Sequence, residues 1–199
     1  MRDSDLLAAI GPVAEAFEKL GALYYIGGSI ASSAYGAARA TLDVDMVSDL
    51  KPQHVRFLAN MLESSYYLDE DAILEAIRRH SSFNLIHFET MIKVDVFIVG
   101  DEPYPQQALR RRRRDTLDED RQSVEFYLAS SEDIVLNKLN WFRMGGEVSE
   151  RQWSDVVGVL KVQDKALDME YLRHWASEMK LTGLLEQAFR DAGIQLYGD

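Results

Sequence analysis

The sequence predicts a mixed α+β fold: a mixed sheet flanked by helices, followed by a small helical bundle. Two observations carry that expectation. Short runs such as Leu42-Asp43-Val44-Asp45-Met46 and Ile92-Lys93-Val94-Asp95-Val96-Phe97-Ile98 alternate apolar residues with polar or larger ones, the period of a strand, between segments with apolar residues at helical spacing. From Ser130 onward the pattern is helical throughout, which sets a boundary near residue 129 and divides the chain into domains 1–128 and 129–199.

In order, Leu6, Leu7, Ile10, Val13, Ala14, Phe17 and Leu20 give a first helix over 4–20, with Gly21 as its stop and Gly11-Pro12 as a point where it kinks or splits. Leu23 to Ile26 reads as a strand, Gly27-Gly28-Ser29 as a turn into a helix of small residues, and Thr41 to Val47 as a second strand. Lys51-Pro52 opens a helix through about Glu63, and Glu70 to His80 is another. Phe83–Phe88 and Ile92–Val99 form a hairpin around Glu89-Thr90. Residues 103–114 read as helical and Ser123–Leu128 as a last strand. Ser130-Ser131-Glu132-Asp133 has the form of a capping box opening a helix that ends near Gly145-Gly146. Three more helices follow, over 149–162, 168–180 and 183–192.

The composition narrows the function. A chain of 199 residues can bury a sizeable core, and its apolar share of 47% is that of a globular protein. No apolar run reaches the length of a membrane span, and Met1 to Asp5 lacks the basic flank of a signal peptide. With no cysteines there are neither disulfides nor thiolate metal sites, which suits a cytoplasmic location. A net charge of −11 argues against a surface built to coat nucleic acid, because phosphates must be met by Lys and Arg. Against that balance stand five consecutive arginines, Arg110 to Arg114. They read either as a solvated helix end countered by Asp115, Asp118, Glu119 and Asp120, or as a handle for nucleotide or RNA phosphates.

Asp43 and Asp45 lie two apart in a strand, so both carboxylates project from one face while Leu42, Val44 and Met46 fill the other. Aspartate is disfavoured in strands, and two side by side repel unless a cation lies between them. An all-oxygen site of this kind suits Mg²⁺, the alternative being a solvent-facing pair at a strand end. Asp95 projects on the same side as Lys93, Phe97 and Val99, and a strand pairing beside the first would add a third carboxylate. Gly27-Gly28-Ser29 permits positive φ and close approach of a ligand to the backbone, and is equally a plain turn; no GK[ST] follows, so it is not a P-loop. His54, His80, His87 and His174 show no zinc spacing, and the pairs Tyr24-Tyr25 and Tyr66-Tyr67 read as packing residues.

Together, Gly28-Ser29, thirteen intervening residues, Asp43-x-Asp45 and a later Asp95 on its own strand resemble the DNA polymerase β-like nucleotidyltransferase superfamily over about residues 1–128. Arg39-Ala40-Thr41-Leu42-Asp43-Val44-Asp45 is similar to its minimal bacterial members. The resemblance implies a nucleotidyltransferase-type sheet in which Gly27, Gly28 and Ser29 grip the β- and γ-phosphates of an NTP such as ATP, with Arg39 and Thr41 in the nucleotide-binding set. It further implies that Asp43 and Asp45 bind two Mg²⁺ ions, and that Asp95 holds the second and helps deprotonate an acceptor hydroxyl. NMP is then transferred in line and pyrophosphate leaves.

In the helical region, Ser131 to Leu139 (SEDIVLNKL) and Arg151 to Val157 (RQWSDVV) resemble the AbiEii and MenT toxin nucleotidyltransferases, where a helical lysine and a later aspartate complete the site. That adds Lys138, as catalytic residue and phosphate ligand, and Asp155 to the expected set. By residue pattern alone, Lys138 either snorkels along the apolar stripe of Ile134 and Trp141 or reaches an anion. Asp155, near the edge of the Trp153, Val156, Val157 and Leu160 stripe, either orients Lys138 or meets solvent. The toxin resemblance implies tRNA as acceptor and an antitoxin protein as partner. A small hydroxylated molecule, as in aminoglycoside-modifying relatives, a protein acceptor, and a non-catalytic nucleotide-binding or antitoxin-like protein of the same fold are the alternatives.

Overall fold

The computed structural model describes residues 3–36, 43–117 and 124–194. Arg39, Thr41, Leu42, Asp118, Glu119 and Asp120, named above, lie outside the described residues. Within them the order is α1 (Asp3–Leu20), β1 (Tyr24–Ile26), α2 (Gly28–Ala34), β2 (Asp43–Ser48), a 3-10 turn (Pro52–His54), α3 (Val55–Leu62), β3 (Tyr66–Tyr67), α4 (Glu70–Arg79), β4 (Ser82–His87), β5 (Lys93–Ile98), α5 (Pro103–Arg110), β6 (Arg113–Thr116), β7 (Glu125–Leu128), α6 (Ser131–Met144), α7 (Glu150–Gln163), a 3-10 turn (Asp164–Ala166), α8 (Met169–Glu178) and α9 (Thr182–Ala192). The described residues divide into two compact units: one is drawn from Met1–Ile30 and Ala40–Ala129, the other from Ala31–Arg39 and Ser130–Asp199.

The first unit is built on one mixed sheet, in the order β3-β4-β5-β2-β1-β7-β6. β2 runs parallel to β5 and β1 parallel to β7, and the other neighbours are antiparallel. Alternation decides which side is core: Val44, Met46, Leu85, Val94, Val96 and Leu128 are wholly buried, in one apolar cluster with Ile10, Val13 and Phe17 of α1 and Val55, Leu58 and Leu62 of α3. α1 continues through Pro12 as a single helix. Pro12 has no N–H for the carbonyl of Ala8, and the hydroxyl of Tyr66 supplies a donor at that turn, 2.9 Å from the Ala9 oxygen and 3.4 Å from that of Ala8.

Residues 103–114 depart from the helical expectation. α5 stops at Arg110, and Arg113 to Thr116 become a strand paired to β7, Arg114 opposite Tyr127. An outer strand is bonded on one side only and need not bury alternate residues, so Arg-Arg-Asp-Thr can pair without an apolar pattern. Tyr66-Tyr67 likewise form a two-residue outer strand, against Ile86 and His87 of β4.

The second unit is helical. Ser130 caps α6 as expected, accepting from the Asp133 N–H at 3.1 Å and donating to Asp133 Oδ2 at 2.6 Å. Glu132 and Asp133 are fully buried, a costly place for carboxylates unless donors meet them. The N–H of Asp168 reaches Glu132 Oε1 at 2.9 Å, and the Tyr171 hydroxyl reaches Asp133 Oδ1 at 2.7 Å, tying the start of α8 to that of α6. Trp153 on α7 lies 5.2 Å from the ring of Phe142 on α6 and donates to Asp191 of α9 at 2.9 Å.

Candidate active site

The turn after β1 is fastened to β2. Ile26 pairs with Met46, and one residue on the N–H of Gly27 donates to the carbonyl of Asp45 at 2.8 Å. Gly28 follows with φ of 56°, in the left-handed region that favours glycine. A Cβ at Gly28 would overlap the Asp45 carboxylate. The glycine is therefore required both by backbone conformation and by its packing against that side chain. Ser29, in the first turn of α2, is buried to 9% exposure.

The parallel pairing of β2 with β5 sets Asp45 opposite Asp95 and Asp43 opposite Lys93. With Val44, Met46, Val94 and Val96 buried behind them, Asp43, Asp45, Lys93 and Asp95 occupy one polar face of the sheet. Antiparallel β4 sets the exposed Asn84 opposite Asp95 on the other flank. Lys93 Nζ lies 2.7 Å from Asp95 Oδ2 and 4.0 Å from Asp43 Oδ1. Its pKa is raised above the ordinary lysine value, chiefly by the hydrogen bond to Asp95; desolvation opposes that rise, and the charges of Asp95, Asp43 and Asp45 each add a smaller increase.

The expected convergence of the three carboxylates on one metal-sharing point is not what the side chains adopt. Among the described residues no group of three or more His, Cys, Asp or Glu is placed to hold a metal ion, and Asp95 is hydrogen-bonded to Lys93. The donor chemistry fits Mg²⁺ all the same: Asp43, Asp45 and Asp95 put three carboxylates on one face, with the amide of Asn84 opposite Asp95, and these are the oxygen donors Mg²⁺ takes.

In the second unit, Lys138 of α6 and Asp155 of α7 form a buried ion pair, Nζ to Oδ2 at 2.7 Å, with side-chain exposures of 10% and 5%. Of the two readings of Asp155, the solvent-facing one is overturned: the carboxylate fixes Lys138. Nor do the five arginines form a uniform helix end. The guanidinium of Arg112 lies 4.5 Å from the Tyr127 ring centroid and that of Arg114 lies 5.4 Å away, and Arg114 also approaches Glu125 at 3.7 Å. Two of the five thus pack on Tyr127 of β7, Arg114 from β6 and Arg112 from the residue before it. Arg39 and Thr41, expected in the nucleotide-binding set, lie outside the described residues.

Two residues of this face had no role in the sequence reading. Lys93 was legible as a same-face neighbour two positions before Asp95. Asn84 carried no signal until the register placed it.

No family model matches the chain, and no curated protein matches it. Solved structures do. The chain is similar to the lincosamide antibiotic adenylyltransferase LnuA in its lincomycin-bound form (TM-score 0.50, 14% identity, 81% of this chain and 98% of that one). It is also similar to an antigenic nucleotidyltransferase-like protein from Paracoccidioides brasiliensis (TM-score 0.55, 18% identity, 94% and 93%). A third similarity is to the antibiotic-resistance factor ANT(2'')-Ia (TM-score 0.54, 16% identity, 95% and 99%). At such identities the likeness is one of architecture, and what it establishes is that this chain has the nucleotidyltransferase fold.

Proposed function

We propose that this chain is a nucleotidyltransferase that moves NMP from an NTP to a hydroxyl acceptor. The observation that carries the reading is the pairing of Asp45 with Asp95, Asp43 two residues earlier on the same face and Gly28 packed on Asp45, within a nucleotidyltransferase fold. Asp43, Asp45 and Asp95 are the residues to hold Mg²⁺, which when bound stabilises charge on the phosphate oxygens. Ser29 and the backbone of Gly28 hold the β- and γ-phosphates, Gly27 shapes the turn with its N–H on the Asp45 carbonyl, and Arg39 and Thr41 complete the nucleotide set. The acceptor oxygen bonds to the α-phosphorus, the bond to the β-phosphate oxygen breaks, and pyrophosphate leaves. Asp95 takes the hydroxyl proton. Lys138, held by Asp155, is the further residue that the resemblance to the toxin enzymes assigns to the chemistry.

For the acceptor, a small hydroxylated molecule and tRNA are the two readings with support. A net charge of −11 favours a cationic small molecule, as does the engagement of Arg112 and Arg114 with Tyr127, which leaves fewer arginines for RNA. The buried Lys138–Asp155 pair favours the toxin-like version acting on tRNA, with an antitoxin as partner.

The test is transfer of label from each [α-³²P]NTP, with Mg²⁺, to total tRNA, to a panel of aminoglycosides and lincosamides, and to protein. Asp43→Ala is expected to remove transfer to whichever acceptor is labelled; unchanged transfer would falsify the metal assignment. Absence of NTP binding by calorimetry, with Mg²⁺ present, would count against the enzyme reading and leave the antitoxin-like alternative.

A further inference from the structure

We infer that Lys93 is a resident cation of the aspartate face that makes the site select a metal–nucleotide complex over the free metal ion. The inference rests on the nucleotidyltransferase reading and adds a specificity-determining residue to it.

The geometry is that of the sheet register. Lys93 is paired with Asp43 across the β2–β5 ladder and lies two residues before Asp95 on β5, so strand alternation sets it on the face of all three carboxylates. Its ammonium is 2.7 Å from Asp95 Oδ2 and 4.0 Å from Asp43 Oδ1. Three carboxylates with one ammonium carry a net charge of −2, against −3 for the carboxylates alone. A free divalent ion is repelled by Lys93 and must compete with it for the oxygens of Asp95 and Asp43. A metal–triphosphate complex is anionic as a whole, so the same ammonium attracts it and gains phosphate oxygens in exchange for the carboxylate it gives up. Lys93 is half exposed, its side chain at 43%, and has room to make that exchange.

The consequence is an order of events. With Lys93 present, metal enters chiefly with nucleotide; without it, the bare carboxylates take up metal first.

The experiment titrates the full chain with Mn²⁺ and follows the free-ion electron paramagnetic resonance signal. One series uses the metal alone, and another uses an ATP analogue with a methylene between the α- and β-phosphates. Lys93→Gln is expected to bind Mn²⁺ alone more tightly, on the order of ten-fold, and the Mn²⁺–analogue complex more weakly. Lys93→Arg keeps the charge and is expected to follow the unsubstituted chain, while Lys93→Met serves as a second neutral variant, each checked for an unchanged melting temperature. A Gln or Met variant whose Mn²⁺ affinity is unchanged or weaker overturns the inference, as does an Arg variant that shifts as far as Gln. If the unsubstituted chain binds the Mn²⁺–analogue complex and the neutral variants show no shift, only the role of Lys93 falls. If none of the proteins binds Mn²⁺ with or without the analogue, the metal reading of the site falls with it.

Discussion

Two lysine–aspartate pairs in this chain share a separation of 2.7 Å and differ in almost everything else. Lys93 and Asp95 lie on an open face of the sheet, with side-chain exposures of 43% and 21%. Lys138 and Asp155 are enclosed between two helices, at 10% and 5%. For the first pair water competes with each partner, so the pairing can be exchanged at small cost. For the second, each charge depends on the other, because removing one leaves an ion buried without compensation. Equal distance therefore conceals unequal commitment. The exposed pair is fitted to exchange partners, and the buried pair to hold one atom in place.

The largest effect is expected where that commitment is greatest. Asp155→Ala should destabilise the helical unit by about 3–5 kcal/mol in denaturant unfolding, and a double replacement, Lys138→Met with Asp155→Leu, should recover most of the loss. If the double variant is as unstable as the single one, the penalty lies in packing and the contrast between the pairs loses its basis. Were the double variant folded and still able to transfer NMP, Lys138 would have no part in the chemistry.

A buried neutral hydrogen bond gives an intermediate scale. Tyr66→Phe removes the donor to the Ala9 carbonyl and should cost about 1 kcal/mol. Burial raises the Tyr66 pKa above the ordinary 10.0, so the unfolded chain loses its phenolic proton at lower pH than the folded one. The stabilising difference is fully present below pH 10 and is lost as pH rises beyond it. Unfolding followed from pH 8 to 11 should show the loss of stability above pH 10 reduced in the Phe variant; an identical slope would place the phenol in water.

Lys93→Gln sits at the small end. Its effect on unfolding free energy should stay under about 1 kcal/mol, because an exposed pair contributes little to stability. A loss comparable with that of Asp155→Ala would erase the distinction drawn above.

The legibility of the two regions differs for the same physical reasons. Val44 and Met46 behind Asp43 and Asp45, and Val94 and Val96 behind Asp95, obey strict alternation, so the core side and the polar side of β2 and β5 could be read directly. What one strand cannot state is its neighbour. That Asp45 pairs with Asp95, and that Lys93 takes a share of the same carboxylates, follows from a register fixed by the whole sheet. Asp155 looked like the margin of an apolar stripe and proved buried, since its environment depends on a lysine seventeen residues earlier. Likewise β6 was hidden in an arginine run, because a strand bonded on one side sheds the pattern by which strands are recognised.

That run of arginines has a consequence for neighbouring molecules. The outer strands of the sheet are the two-residue β3 at one margin and β6, with exposed Arg113 and Arg114, at the other. Two copies zipping together along β6 would bring guanidinium groups against guanidinium groups, and a two-residue β3 offers too little ladder to recruit a strand. Arg114, which lies over Tyr127 within one molecule, thus joins Arg113 in discouraging a second molecule from continuing its sheet.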